Sequence, residues 1–148
     1  MSNRLLLNQI NLLEMRHNIY TLPKIEDPRG NLSVIEKDII PFAIKRVYFL
    51  YDVPSGAERG GHAHIEQEEC IIAVSGSFEV VLNDGDTEEV FTLNKPNEGL
   101  YVTKNTWREL RNFSPGSVCL VVSSGEFDEA DYIRDFNEFK NYLAKIRK

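Results

Sequence analysis

Arg59-Gly60-Gly61-His62-Ala63-His64 carries two of the chain's three histidines, spaced i and i+2, within a region otherwise patterned as short β-strands. Alternate side chains of a strand point to one face, so both imidazoles are expected to enter one space. Two groups that titrate near neutral pH on a shared β-surface indicate either a metal site or acid–base chemistry.

Outward from this stretch, the chain from about Thr21 to Ser124 reads as strands with tight turns. Residues 31–36 follow the turn signal Asp27-Pro28-Arg29-Gly30, and residues 42–51 are rich in aromatic and β-branched side chains. Ser75-Gly76 and Asp84-Gly85 read as hairpin turns joining strands at 69–74, 77–82 and 90–93. Further strands at 99–103, 107–110 and 118–123 complete a set expected of an all-β antiparallel sandwich or barrel. The period then changes. Tyr132, Ile133, Phe136, Phe139, Tyr142, Leu143 and Ile146 recur every three or four residues. That spacing predicts an amphipathic helix, begun by Asp128 or Asp131, ending in Lys145, Arg147 and Lys148, and packed on the outside of the β-domain. Residues 1–20 read as an N-terminal arm, open between a short helix, an added strand and a loosely held segment, and residues 21–148 are expected to form a single domain.

The chain has 148 residues, room for one domain with a real core. Its net charge of −6, with no Lys/Arg cluster before the last turn, argues against nucleic acid as a partner. A few arginines can still hold a diphosphate against that balance. Cys70 and Cys119 lie in apolar runs and read as reduced core residues. Leu5-Leu6-Leu7 is interrupted too soon to form a signal-peptide core, and no run is long enough to span a bilayer, so no membrane role and a cytoplasmic location are expected.

His62-x-His64-x-x-x-Glu68 has the form of the first motif of the cupin barrels, in which two histidines and a carboxylate bind a divalent metal. The second cupin motif, G-x5-P-x-G-x2-H, begins here at Gly99 but has Asn105, Trp107 and Leu110 at its proline, glycine and histidine positions. Leucine ligates no metal, and the remaining histidine, His17, lies in the N-terminal arm. A three-ligand open site stays possible. For acid–base chemistry, alternation along 44–50 puts Arg46 and Tyr48 on one face and Val47 and Phe49 on the other. Arg29, Arg59 and Arg108 are further pocket candidates, and Glu68 or Glu69 is placed to orient an imidazole.

Arg29-Gly30, Ile44-Lys45-Arg46-Val47-Tyr48, the Arg59–His64 stretch, Gly99-Leu100-Tyr101-Val102, Trp107-Arg108-Glu109 and Asp131-Tyr132-Ile133-Arg134 together resemble the cupin-fold dTDP-sugar 3,4-ketoisomerases. The resemblance implies a cupin-type antiparallel β-barrel (jelly roll), a homodimer, and no metal or other cofactor. It implies conversion of dTDP-4-keto-6-deoxyglucose to a dTDP-3-keto-6-deoxyhexose, ahead of transamination to an amino sugar for surface glycans or antibiotics. By this resemblance His62 falls on the catalytic histidine, His64 on its neighbour and Tyr48 on the tyrosine that works with them. Arg29 and Arg108 fall at positions linked to stereochemistry at C4. Arg46 and Arg59 are candidates for the diphosphate, and Tyr101 or Trp107 either stacks on thymine or belongs to the core. Glu69 stands where such enzymes often have glutamine. The competing readings are a metal-dependent cupin enzyme, a non-catalytic nucleotide-sugar-binding cupin, and a related epimerase.

Overall fold

The computed structural model describes residues 19–148. In chain order the strands are β1 (Ile19–Thr21), β2 (Lys24–Ile25), β3 (Leu32–Ser33), β4 (Arg46–Leu50), β5 (Arg59–His64), β6 (Glu69–Ser75), β7 (Phe78–Asn83), β8 (Glu88–Leu93), β9 (Glu98–Val102), β10 (Trp107–Arg111) and β11 (Val118–Ser123). A 3₁₀ turn (Glu129–Asp131), β12 (Tyr132–Ile133) and helix α1 (Phe136–Ile146) follow. Two antiparallel sheets form the body, ordered β1-β9-β6-β11-β4 and β12-β5-β10-β7-β8, while β2 pairs with β3. The all-β class with a C-terminal helix is therefore as expected. Among the described residues no ladder joins the two large sheets, so the jelly roll is two packed sheets rather than a closed cylinder. The expected N-terminal arm, residues 1–20, lies almost wholly outside the described residues; Ile19–Thr21 pairs with β9.

Side-chain alternation sets the layers. Ile71 and Ala73 of β6 join Val80, Leu82, Leu100, Val102 and Val121 in a buried cluster drawn from both sheets. Cys70 and Ile72, on the other face of β6, are buried with Leu22, Ile40 and Val122, and Ile35, Ile39 and Phe42 pack against them. Burial on both faces explains why this strand reads as a continuous apolar run rather than an alternating one. Both cysteines are free and buried, and burial pushes their thiols up to about 12, as expected of small core residues.

The glycines of β5 have a specific purpose. Arg108 pairs with His62 while Leu110 pairs with Arg59, so β5 carries one extra residue against β10, a bulge at Gly60-Gly61. Gly60 sits at φ +92°, and a Cβ there would lie 2.5 Å from Leu110 Cδ1, which only glycine avoids. The bulge re-aims the strand, and His62 and His64 then project to one side while Ala63 faces the other.

Helix α1 starts later than the periodicity suggests. Asp135 is its N-cap, accepting from Glu138 N–H at 2.9 Å, and Asp128 instead caps the 3₁₀ turn. Tyr132 and Ile133, read from sequence as helical, pair as β12 with His64 and Ala63 of β5. A sheet edge with open hydrogen-bonding groups outcompetes the local helical pattern there. Phe139 and Leu143 bury their helix face against Ala63 and Trp107, as expected for a helix packed outside the sheets. Burial of this kind contributes about 1.5–3 kcal/mol per side chain.

Candidate active site

A cavity of about 470 Å³ opens between the two sheets, lined by Arg46, Tyr48 and Leu50 of β4, Arg59 to His62 of β5, Glu69 and Ile71 of β6, Arg108 and Leu110 of β10, Val121 of β11, and Phe127, Tyr132 and Arg134 from the C-terminal segment. Its apolar wall comes from the inner face of the sandwich, and its polar groups are those that the strand period turns inward at the same end. As read from sequence, Arg46 and Tyr48 point in while Val47 and Phe49 stay more than half exposed outside.

Glu69 is the hub. Its side chain is fully buried; Oε1 accepts from Arg108 Nη1 at 2.6 Å, Oε2 accepts from the Tyr48 hydroxyl at 2.7 Å, and Arg46 Nη2 lies 3.9 Å from Oε2. Burial alone would raise its carboxyl. His64, Arg108 and the Tyr48 hydroxyl outweigh that and hold it down at about 2. The Tyr48 phenol is pushed far above its ordinary value, first by burial and then by the Glu69 charge and hydrogen bond, so Tyr48 is a neutral proton donor.

The histidines occupy different environments. His62 lies edge-on to His64 with ring centroids 4.9 Å apart, and the Tyr132 ring touches both. Burial, then the Arg108 guanidinium, lowers the His62 imidazole to about 3, so it is neutral at physiological pH. Its Nε2 is buried without a hydrogen-bond partner in the protein. His64 is fully enclosed: Nδ1 lies 2.9 Å from Asp131 Oδ2 and Nε2 lies 3.3 Å from Glu69 Oε1, off hydrogen-bond geometry. Arg46 Nε and Arg108 Nε are likewise buried and unpartnered. Orphaned polar atoms clustered at one cavity cost about 1–3 kcal/mol each unless a ligand or water completes them.

His62, His64 and Glu69 offer donor atoms within 4.8 Å of one another, and Glu69 rather than the expected Glu68 faces the histidines. The donor set does not fit a divalent ion. Both Glu69 oxygens are already engaged, and the guanidinium of Arg108 stands where it would repel a second cation. Leu110 lines the same cavity.

His64 is enclosed beside Glu69 rather than among the lining residues, and three further sequence candidates lie elsewhere. Arg29 is exposed in the turn between β2 and β3, where its guanidinium pairs with Asp27; it is not among the lining residues. Tyr101 alternates with the inward-facing Leu100 and Val102, so its ring packs outside with Tyr20 and Phe42 and its hydroxyl donates to Glu68. Trp107 precedes the inward-facing Arg108 and therefore points away from the cavity, packing on Phe136 and Phe139 under α1. Tyr101 and Trp107 take the core alternative left open in sequence. Asp131, Tyr132, Arg134 and Phe127 were not singled out for the site; only the Asp131–Arg134 tail motif pointed to part of this group.

Among the described residues no helix is long and apolar enough to cross a membrane. A family model described as "FdtA: WxcM-like, C-terminal" matches residues 15–144. A relative from Aneurinibacillus thermoaerophilus, named TDP-4-oxo-6-deoxy-alpha-D-glucose-3,4-oxoisomerase, is 42% identical over 133 residues, covering 89% of this chain and 96% of its own. The crystal structure of a 3,4-ketoisomerase from Helicobacter canadensis superposes with a TM-score of 0.83 at 45% identity, covering 85% of this chain and 96% of its own. QdtA, a sugar 3,4-ketoisomerase from Thermoanaerobacterium thermosaccharolyticum solved with TDP, gives a TM-score of 0.84 at 37% identity, covering 86% and 94%. With matches of this extent in sequence and in fold, the chain belongs to the FdtA (WxcM-like) family of cupin-type proteins.

Proposed function

We propose that this protein is a 3,4-ketoisomerase acting on dTDP-4-keto-6-deoxy-D-glucose, forming a dTDP-3-keto-6-deoxyhexose without a metal. The observation that carries the reading is a neutral His62 imidazole whose Nε2 is unpartnered inside a cavity rich in arginine. His62 takes the proton from C3; the C3–H electron pair forms the C3=C4 bond, and the C4 carbonyl becomes an enolate oxygen. Tyr48 and the Arg108 guanidinium stabilise that charge. The proton on the O3 hydroxyl passes through His64 to O4, His62 returns a proton to C4, and the ketone is left at C3. Each carbon–hydrogen bond broken is matched by one formed, and no outside oxidant is required.

The diphosphate is held at the mouth. Arg59 is exposed and its guanidinium has no partner among the described residues, which leaves its fork open for phosphate oxygens. Arg134, stacked over Tyr132 and paired with Glu129, joins it. Arg46, tied to Gln67 and Tyr132, shapes the wall between the two. In this reading the enzyme works in the cytoplasm and serves amino-sugar assembly for a surface glycan such as O-antigen. A homodimer is supported by the apolar outer side of edge strand β4, where Val47 and Phe49 are exposed. Activity of protein dialysed against EDTA, with its metal content measured in the same sample, tests metal independence; light scattering of the same protein tests the dimer.

A further inference from the structure

Asp131 lies beside the cavity without lining it, and its carboxylate is unusually well fixed. The residue is 7% exposed. Oδ1 accepts from the Glu66 N–H at 2.7 Å, Oδ2 accepts from the Gln67 N–H at 3.2 Å, and its own carbonyl accepts from the Ile65 N–H at 3.0 Å. These contacts lock the 3₁₀ turn onto the chain just after β5 and leave Oδ2 2.9 Å from His64 Nδ1. An ionised carboxylate only accepts hydrogen bonds, so this contact requires a hydrogen on Nδ1. His64 is held from the other side as well: its carbonyl accepts from the Asn105 N–H at 2.8 Å, and Tyr132 covers its ring at 4.4 Å.

We infer that Asp131 is a positioning residue for the ketoisomerisation: it keeps the Nδ1 hydrogen of His64 in place, so that Nε2 is the atom that carries the proton from O3 to O4. The inference rests on the ketoisomerase reading. Nε2 is the nitrogen that faces Glu69 of the cavity wall, at 3.3 Å, and it has no hydrogen-bond partner in the protein. If the hydrogen moved to Nε2, the ring would present a donor in place of the lone pair that must receive the O3 proton, and the relay would stall. His62 would still be able to open the reaction at C3, so the loss falls on turnover and not on binding.

The test is Asp131→Asn, which keeps an oxygen for the Glu66 N–H but can present an NH₂ to His64. Wild-type turnover is measured first, since its absence would sink the ketoisomerase reading itself. With turnover present, the variant should lose about 10- to 1,000-fold in kcat while KM stays within about twofold. Nitrogen-15 NMR of histidine-labelled protein, which needs no substrate, should show hydrogen on His64 Nδ1 in the wild type and its displacement towards Nε2 in the variant. An unchanged tautomer, a wild-type Nδ1 without hydrogen, or an unchanged kcat overturns the inference. Thermal unfolding of the variant guards against a folding loss, and Asp131→Glu should restore the wild-type tautomer if the carboxylate is what matters.

Discussion

Arg108 Nη1 lies 2.6 Å from Glu69 Oε1, and neither side chain reaches solvent. One strand of each sheet supplies a partner, so this ion pair ties the two layers together at the wall of the cavity. Removing one partner leaves a buried uncompensated charge, worth about 3–5 kcal/mol. Arg108→Ala and Glu69→Ala should each lose stability of that order in denaturant unfolding, and the double variant should lose clearly less than the sum. Additive losses would show that the pair is not coupled.

His62→Asn preserves a polar side chain of similar reach but cannot act as a base at C3. Turnover should fall by at least about a hundredfold. TDP affinity, measured by calorimetry, should stay within a few-fold because the diphosphate contacts are assigned to Arg59 and Arg134. A variant with half the wild-type rate would remove His62 from the role of base.

Much of this site was legible in the order of residues. The i, i+2 histidines and the Arg46/Tyr48 face follow from strand periodicity, and the alternation that turns Arg108 inward also turns Trp107 outward. What was hidden depends on distance along the chain. Asp131 meets His64 across 67 residues, and Tyr132-Ile133 fits a helical repeat as well as a strand until β5 offers it an edge. Glu68 and Glu69 are adjacent carboxylates with opposite destinations, and only the frame of β6 decides which one faces the histidines.

Acid should destabilise the protein in two windows. The His62 imidazole is lowered from 6.5 to about 3, so the unfolded chain binds the extra proton. Stability is therefore present above pH 6.5 and lost as pH falls towards 3. Glu69, lowered from 4.5 to about 2, adds a further loss between those values. His62→Asn should remove about 1.4 kcal/mol per pH unit from the slope of stability between pH 6 and 5. An identical slope in wild type and variant would mean that His62 is not buried as a neutral ring.

Gly60→Ala puts a Cβ 2.5 Å from Leu110 Cδ1 at a positive φ. The variant should unfold at a lower temperature and lose activity out of proportion to that change, because the bulge that aims His62 is strained. By contrast, Trp107→Phe should lower stability through its lost packing under α1 and leave KM for the nucleotide sugar unchanged. A large rise in KM would return Trp107 to the binding site.

Proton abstraction at C3 by His62 puts an enediol between the two ketones. The most direct measurement is proton NMR of dTDP-4-keto-6-deoxyglucose turned over in deuterated buffer with EDTA present. A 3-keto sugar with deuterium at C4 is expected, because the proton on His62 exchanges with solvent before it is returned. Product that keeps the original hydrogen at C4 would indicate a direct 1,2-hydride shift, and would contradict the enediol account.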